Sequence, residues 1–198
     1  MITPRVRIAL LLLGTALAIA PGLAAAASYD EAVNGDISGN RLAPTSLSLD
    51  PGSNPISGSV IAGDLDYLTV HVPAGYALAQ LVLTSFVSTD DIAFMAIQSG
   101  AQFTETTSPN VANLLGWSHF MLPVGVNYLA LMGAGLGAIG FTGPLPAGDY
   151  TLWIQQTGAQ SVGYGFNAVV TAAPEPAALA LVGLGIAALG ASRLRRVT

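Results

Sequence analysis

Three segments of this chain alternate from residue to residue, and that period of two argues for strands rather than helices. In Tyr67–Val72, Leu68, Val70 and Val72 fall on one face, and Tyr67, Thr69 and His71 fall on the other. Ala77–Phe86 sets Leu78, Gln80, Val82 and Thr84 against Ala79, Leu81, Leu83 and Ser85. Tyr150–Gln155 sets Tyr150, Leu152 and Ile154 against Thr151, Trp153 and Gln155. Successive side chains of a strand point to opposite faces, so each segment reads as a strand with two unlike sides. Ile92–Ile97 and Tyr164–Thr171 add further strands, and Ser46–Leu49 a short first one. Pro55–Ile61 leads into Gly63-Asp64-Leu65-Asp66. Pro73-Ala74-Gly75, Leu145-Pro146-Ala147-Gly148-Asp149 and Thr157–Gly163 read as turns. No long amphipathic helix competes. The expected fold is mainly β, an antiparallel β-sandwich of jelly-roll type.

The two ends follow other rules. Arg5 and Arg7 precede an apolar stretch, Ile8–Ala20, which Pro21-Gly22 breaks. Ala25-Ala26-Ala27 before Ser28 offers a small-residue cleavage site. This is the pattern of a secretory signal peptide over residues 1–27. Arg5 and Arg7 are not adjacent, so a twin-arginine signal is not supported. At the other end, Pro174-Glu175-Pro176 is followed by an uncharged run, Ala177–Ala191, and then by Arg193, Arg195 and Arg196. The run is short for a membrane span, whose usual threshold is about 18 apolar residues, unless the arginines snorkel outward. Positive charge beside a span stays on the cytoplasmic side, which leaves the bulk of the chain outside. The two prolines hold Glu175 in an extended tripeptide that a protease can read at the membrane surface. An ordinary tail anchor is the alternative.

With both ends set aside, residues 28–173 carry ten acids and one base, Arg41, for a net charge of −9, and the chain has no lysine. That argues against nucleic acid and anionic lipid as partners, both of which want a basic patch. It suits solubility outside the cell and the binding of cations. Cysteine is absent, so no disulfide framework or thiolate site exists and an exported domain must rely on its core. The expected organisation is a signal peptide over 1–27, an extended lead-in over 28–55, and a sandwich over 56–173. Residues 99–144 are inserted into the sandwich, and a C-terminal sorting segment covers 174–198.

The insertion, Ser99–Pro144, holds Trp117-Ser118-His119-Phe120 and the glycine-dense stretch Leu131–Gly143. Val111–Leu115 and Val126–Met132 are candidates for short helices. Leu129–Ile139 is expected as a buried loop or strand pair packed over the sandwich. Insertions of this length are usually functional or structured in their own right.

Candidate chemistry is sparse. Asp64, Asp66, Asp90 and Asp91 stand at two strand starts; brought together, they would hold Ca²⁺, a hard cation that takes oxygen ligands. Aspartates also initiate turns through local hydrogen bonds, and that reading stays open. His71 and His119 are the only histidines, with no Gly-x-Ser-x-Gly elbow and no His-Glu-x-x-His pattern. Trp117, Trp153, Tyr150 and Tyr164 supply rings that stack on sugars when exposed and fill a core when buried. Trp117, Trp153 and Tyr150 are the candidate ligand surface. The expectation is a non-enzymatic protein.

Two resemblances add to this. Pro174-Glu175-Pro176, the Ala/Leu/Gly run with Gly183, Gly185 and Gly190, and the closing Arg193, Arg195 and Arg196 resemble the PEP-CTERM sorting signal. That signal is also labelled an ice-binding protein C-terminal domain. The resemblance implies processing by exosortase, a membrane cysteine protease-transpeptidase, and a link with exopolysaccharide or biofilm. Within the body, Gly63-Asp64-Leu65-Asp66-Tyr67-Leu68-Thr69-Val70 with Pro73-Ala74-Gly75, Asp90-Asp91-Ile92-Ala93, and Leu145-Pro146-Ala147-Gly148-Asp149-Tyr150-Thr151-Leu152 look like parts of the bacterial pre-peptidase C-terminal (PPC-like) β-sandwich. That family implies a non-catalytic accessory module, some of whose relatives bind calcium or polymers.

The functional expectation joins these parts. The chain passes the Sec translocon and signal peptidase and is held in the inner membrane with its body outside the cytoplasm. Exosortase then processes it, and it ends at the cell surface or in an exopolysaccharide matrix. The alternative is a secreted carbohydrate- or ice-binding module, dependent on Ca²⁺. A flat Thr-rich repeat, which would favour ice, is absent.

Overall fold

The computed structural model describes residues 26–89, 92–156 and 158–173. Residues 1–25 of the signal peptide expected over 1–27, Asp90 and Asp91, and the whole of residues 174–198 lie outside the described residues. Among the described residues no helix is long and apolar enough to cross a membrane.

The described residues form eight strands and two short helices. In chain order they are β1 (Tyr29–Asp30), α1 (Glu31–Asn34), β2 (Thr45–Ser48), β3 (Gly52–Val60), β4 (Leu65–Val87), β5 (Ala93–Ser99), β6 (Gly116–Phe120), α2 (Tyr128–Gly133), β7 (Leu145–Gln155) and β8 (Val162–Ala172). A 3-10 turn, Val111–Asn113, precedes β6. The strands form one mixed sheet in the order β1-β3-β8-β4-β7-β5-β6, with β2 also paired to β4.

The mixture corrects the expected antiparallel sandwich. β1 runs parallel to β3, and β2 runs parallel to β4. Both parallel strands come from residues 28–55, which were expected as an extended lead-in with one short strand at Ser46–Leu49, close to where β2 lies. They are instead part of the domain: Ile37 and Leu49 are buried, and the Tyr67 N–H donates to the Ser38 carbonyl at 2.9 Å.

The fold turns on β4. It spans 23 residues, and its N-terminal half pairs with β7 from Leu65↔Gln155 to Val72↔Gly148. Its C-terminal half pairs with β8 from Tyr76↔Ala172 to Val87↔Gly163. Between Val72 and Ala77 the β4–β7 register slips, so the expected turn at Pro73-Ala74-Gly75 is a bulge within a continuing strand. Pro73 has no N–H to give to a ladder, and Gly75 sits at φ +81°, where a Cβ would be strained. Bulges bend and twist the strand that carries them, and this one carries β4 from one layer to the other. Leu145–Asp149, also expected as a turn, forms the first part of β7.

The sheet folds on itself around that corner. Phe120 of β6 lies 5.2 Å from Phe166 and 6.2 Å from Tyr164, both on β8, although β6 and β8 are four places apart in the strand order. In a flat sheet that separation would be about 19 Å. Leu68, Val70 and Val72 from β4, Met95 and Ile97 from β5, Leu152 and Ile154 from β7, and Phe166, Ala168 and Val170 from β8 fill the space between the layers.

A second cluster covers the opposite face of β4, β5 and β7. Tyr67, Ala96, Phe103, Leu114 and Trp153 are buried there, with Tyr67 stacked on Trp153 at 6.2 Å. The insertion supplies Phe103 and Leu114, so one of its functions is to roof this face. The insertion also contributes β6, which pairs with β5, and α2, which packs on β4 and β6. Its glycines have a packing reason: a Cβ on Gly116 would collide with the Met132 carbonyl, and one on Gly133 with the Phe141 carbonyl. The stretch expected as a buried loop or strand pair is thus a short helix and a loop held against β6 at backbone distance.

Candidate metal centre

The densest chemistry lies where the N-terminal segment meets β3, β4 and β8. Asp30 caps α1, its Oδ1 accepting from the Ala32 N–H at 3.0 Å. That cap starts the helix at Glu31 and aims Glu31 at the edge of β3. The Glu31 carboxylate accepts from the Ile37 N–H at 3.1 Å and the Ser59 N–H at 2.7 Å. It can approach so closely because residue 58 is glycine: a Cβ there would lie 2.8 Å from Glu31 Cδ and 2.6 Å from the Tyr164 hydroxyl.

Asp66 enters from β4 and is fully buried. Its Oδ2 accepts from the Tyr164 hydroxyl at 2.5 Å, while its Oδ1 is buried with no hydrogen-bond partner. Asp36, exposed at the surface, completes the group. One carboxylate oxygen from each of Glu31, Asp36 and Asp66 lies within 4.8 Å of the others. The three grade from exposed to buried. A surface cleft of about 480 Å³ lined by Asp30, Glu31, Ala32, Asp36, Ser57, Gly58 and Ser59 opens onto them.

The electrostatics follow from this crowding. Burial pushes the Asp66 carboxyl up to about 8, against the pull of its Tyr164 hydrogen bond and with help from Glu31, Asp64 and Asp36. Burial raises Glu31, partly offset by its two backbone hydrogen bonds, and the neighbouring Asp36 and Asp64 raise it further. Asp64 is raised by burial and then by Asp36. Burial, followed by the charge of Asp66, lifts Tyr164 well above the usual tyrosine range. Among the described residues no cationic side chain relieves the repulsion. Arg41, the one base of residues 28–173, donates instead to the carbonyls of Thr104 at 2.7 Å and Phe103 at 3.2 Å.

Of the four aspartates proposed for calcium, Asp66 is therefore at the centre of a cluster and Asp64 stands at its edge. Asp90 and Asp91 lie outside the described residues. Sequence reasoning missed Glu31, Asp36, Gly58 and Tyr164. A signal was present in the acid density of Asp30-Glu31 and Asp36, but its partners are remote in sequence and are brought near only by the parallel pairing of β1 with β3.

The candidate ligand surface separates. Trp153 and Tyr150 are buried, so neither presents a ring to a ligand; the Tyr150 hydroxyl donates to the Pro146 carbonyl at 2.9 Å. Period-2 alternation places Trp153 on the face opposite Leu152 and Ile154, but the insertion roofs that face. Trp117 is partly exposed and stacks on Phe94 at 6.2 Å. His119 is exposed and stands edge-on to Phe94 at 5.7 Å. His71 Nδ1 lies 2.6 Å from Asp149 Oδ1 at the surface. The residues Pro174, Glu175, Pro176, Arg193, Arg195 and Arg196 lie outside the described residues.

No curated protein and no solved structure matches the chain. The likeness of the body to PPC-like sandwiches therefore rests on its residues alone. Residues 172–196 do match a family model, that of the PEP-CTERM protein-sorting motif. The matched stretch contains the Pro-Glu-Pro tripeptide, the uncharged run and the arginines. It begins at Ala172, the final residue of β8. The chain carries a C-terminal PEP-CTERM motif, which makes it an exosortase substrate exported and sorted to the cell surface.

Proposed function

We propose that this chain is a non-enzymatic protein of the cell envelope and extracellular matrix, delivered by exosortase and retained with exopolysaccharide. The sorting motif at residues 172–196 is the observation that carries this reading. On it, the Sec translocon and signal peptidase handle the N-terminal end. Residues 177–191 then hold the chain transiently in the inner membrane until exosortase acts near Glu175. The body supports the reading through its composition: a lysine-free domain with ten acids and one base is soluble and repels anionic surfaces.

The test is the mass of the mature protein made in hosts with and without exosortase. With the enzyme, the residues after about Pro176 are lost; without it, the full C-terminus remains. An intact Arg195-Arg196 end in the presence of exosortase overturns the reading in favour of plain anchoring.

A carbohydrate-binding role has one specific observation in its favour. Phe94, Trp117 and His119 form a partly exposed aromatic row, and a cavity of about 130 Å³ lined by Phe94, His119, Gln155 and Gln156 adjoins it. Aromatic faces beside amide side chains suit sugar rings. A glycan array probed with the wild-type chain and Trp117→Ala separates this role from a passive one: signal lost in the variant supports binding at the row.

A further inference from the structure

We propose that Glu31, Asp36 and Asp66 hold a calcium ion that fastens the N-terminal segment to the sheet. Acidic residues gather on many surfaces without a ligand, and the cluster alone would prove nothing. The second observation is Asp66. It is wholly buried, it joins the cluster from the inside, and its Oδ1 has no hydrogen-bond partner. A buried carboxylate oxygen left without a partner is strongly unfavourable, and proteins rarely tolerate it. A cation supplies the missing partner.

The donor set points to a hard ion. All three ligands are carboxylates, and neither histidine belongs to the group. Their spread of no more than 4.8 Å fits within the distance between two oxygens on opposite sides of a calcium ion, about 4.8 Å for bonds of about 2.4 Å. Glu31 Oε2 accepts from the Ser59 N–H and, at 3.5 Å, from the Ser59 hydroxyl, whereas Oε1 accepts only the Ile37 N–H and keeps a second lone pair to offer. The exposure of Asp36 and the open cleft provide an entry path and room for the waters that complete a calcium shell.

The place of the site says what the ion does. Glu31 opens α1 and Asp36 follows it in the N-terminal segment, whereas Asp66 belongs to β4 in the body. Among the described residues, β1 holds that segment by two residues of parallel pairing, beside the buried Ile37 and the Tyr67–Ser38 backbone bond. An ion shared between the two parts replaces mutual repulsion with a common ligand, and makes docking of the segment depend on calcium.

The test uses the full chain purified in mild detergent, with CaCl₂ as the only added ligand. Titration calorimetry and thermal melting should show one saturable site with a dissociation constant of about 10⁻⁴ to 10⁻³ M, the range of extracellular modules, and a melting temperature raised by calcium. Calcium should also slow hydrogen exchange at the Ile37 and Ser59 amides. Asp66→Asn and Asp36→Asn should weaken binding at least about tenfold, while Asp149→Asn should leave it unchanged. Asp36 is at the surface, so that variant keeps the test open if Asp66→Asn does not fold. Tb³⁺ in place of calcium should give tyrosine-sensitised emission that Tyr164→Phe removes. No heat and no melting shift at about 10 mM CaCl₂ overturns the proposal, and so does binding unchanged in Asp36→Asn. Failure of exosortase processing would touch none of these readouts.

Discussion

At the scale of the residue, Asp66 is the most consequential side chain in the domain. Its folded pKa lies near 8 because burial disfavours the charge and Glu31, Asp64 and Asp36 add to the penalty. An unfolded aspartate titrates near 3.9. Between those two values the folded chain holds a proton that the unfolded chain has released. Asp66 therefore contributes fully to stability below about pH 4, and the contribution is lost as pH rises through about 8. The expected slope is about 1.4 kcal/mol lost per pH unit across that window. Urea unfolding in EGTA between pH 5 and pH 8 should show the decline, and Asp66→Asn should flatten it; an unchanged slope in the variant would assign the dependence to another group. Gly58 is the second such residue. Gly58→Ala drives a methyl toward the Tyr164 hydroxyl and the Glu31 carboxylate and should cost about 1–3 kcal/mol, read as a lower urea midpoint. Asp66 was named from sequence as a calcium candidate, but with Asp90 and Asp91 as partners rather than Glu31 and Asp36, and Gly58 was not legible at all. Asp66 reads locally as an ordinary turn aspartate, and Gly58 matters only because β8 brings Tyr164 opposite it at the Gly58↔Tyr164 pair.

At the scale of the element, alternation carried most of the information. Leu68, Val70 and Val72, and likewise Leu152 and Ile154, face the main core as their period required. What local pattern does not encode is where a strand goes next. Pro73-Ala74-Gly75 has the composition of a turn, yet the chain continues through it because β8 is available to pair with Tyr76–Val87. A strand near β2 was expected at Ser46–Leu49, but β1 and the parallel pairing of both strands were hidden for a related reason. A parallel pair needs no adjacent turn, so nothing near Tyr29 or Thr45 announces a partner at Ile56 or Leu68. The helix α2 was foreseen at Val126–Met132, but the importance of its cap was not. Asn127 Oδ1 accepts from the Leu129 N–H at 3.2 Å and from the Leu81 N–H of β4 at 3.0 Å. One side chain thus both starts the helix and ties it to the corner strand. Asn127→Ala removes the cap and leaves the Leu81 amide without that acceptor. The expected loss is about 1–3 kcal/mol in equilibrium unfolding, whereas Asn127→Asp, which keeps the oxygen, should recover most of it.

At the scale of the whole molecule, delivery and architecture are written in different parts of the chain. The sorting motif begins at residue 172, where β8 ends, so sheet pairing and sorting signal meet without a spacer. The motif was readable at once because its message depends on composition and order over a short stretch: a stiff acidic tripeptide, a greasy run, and a basic stop. The body was readable only as a class, because its specific features depend on pairings between residues far apart in sequence. The division predicts that the two parts act independently. Residues 172–198 transplanted onto an unrelated exported β-domain should confer exosortase-dependent loss of the C-terminal arginines. In the native chain, Glu175→Ala should block that loss while leaving the unfolding midpoint of the body unchanged, because Glu175 lies beyond the last strand. Intact mass and urea denaturation on the same preparation check both halves of the claim. A shift in the midpoint, or processing that continues in Glu175→Ala, would mean that exosortase recognises the folded body along with the tag, and the β8 end would become part of the recognition surface.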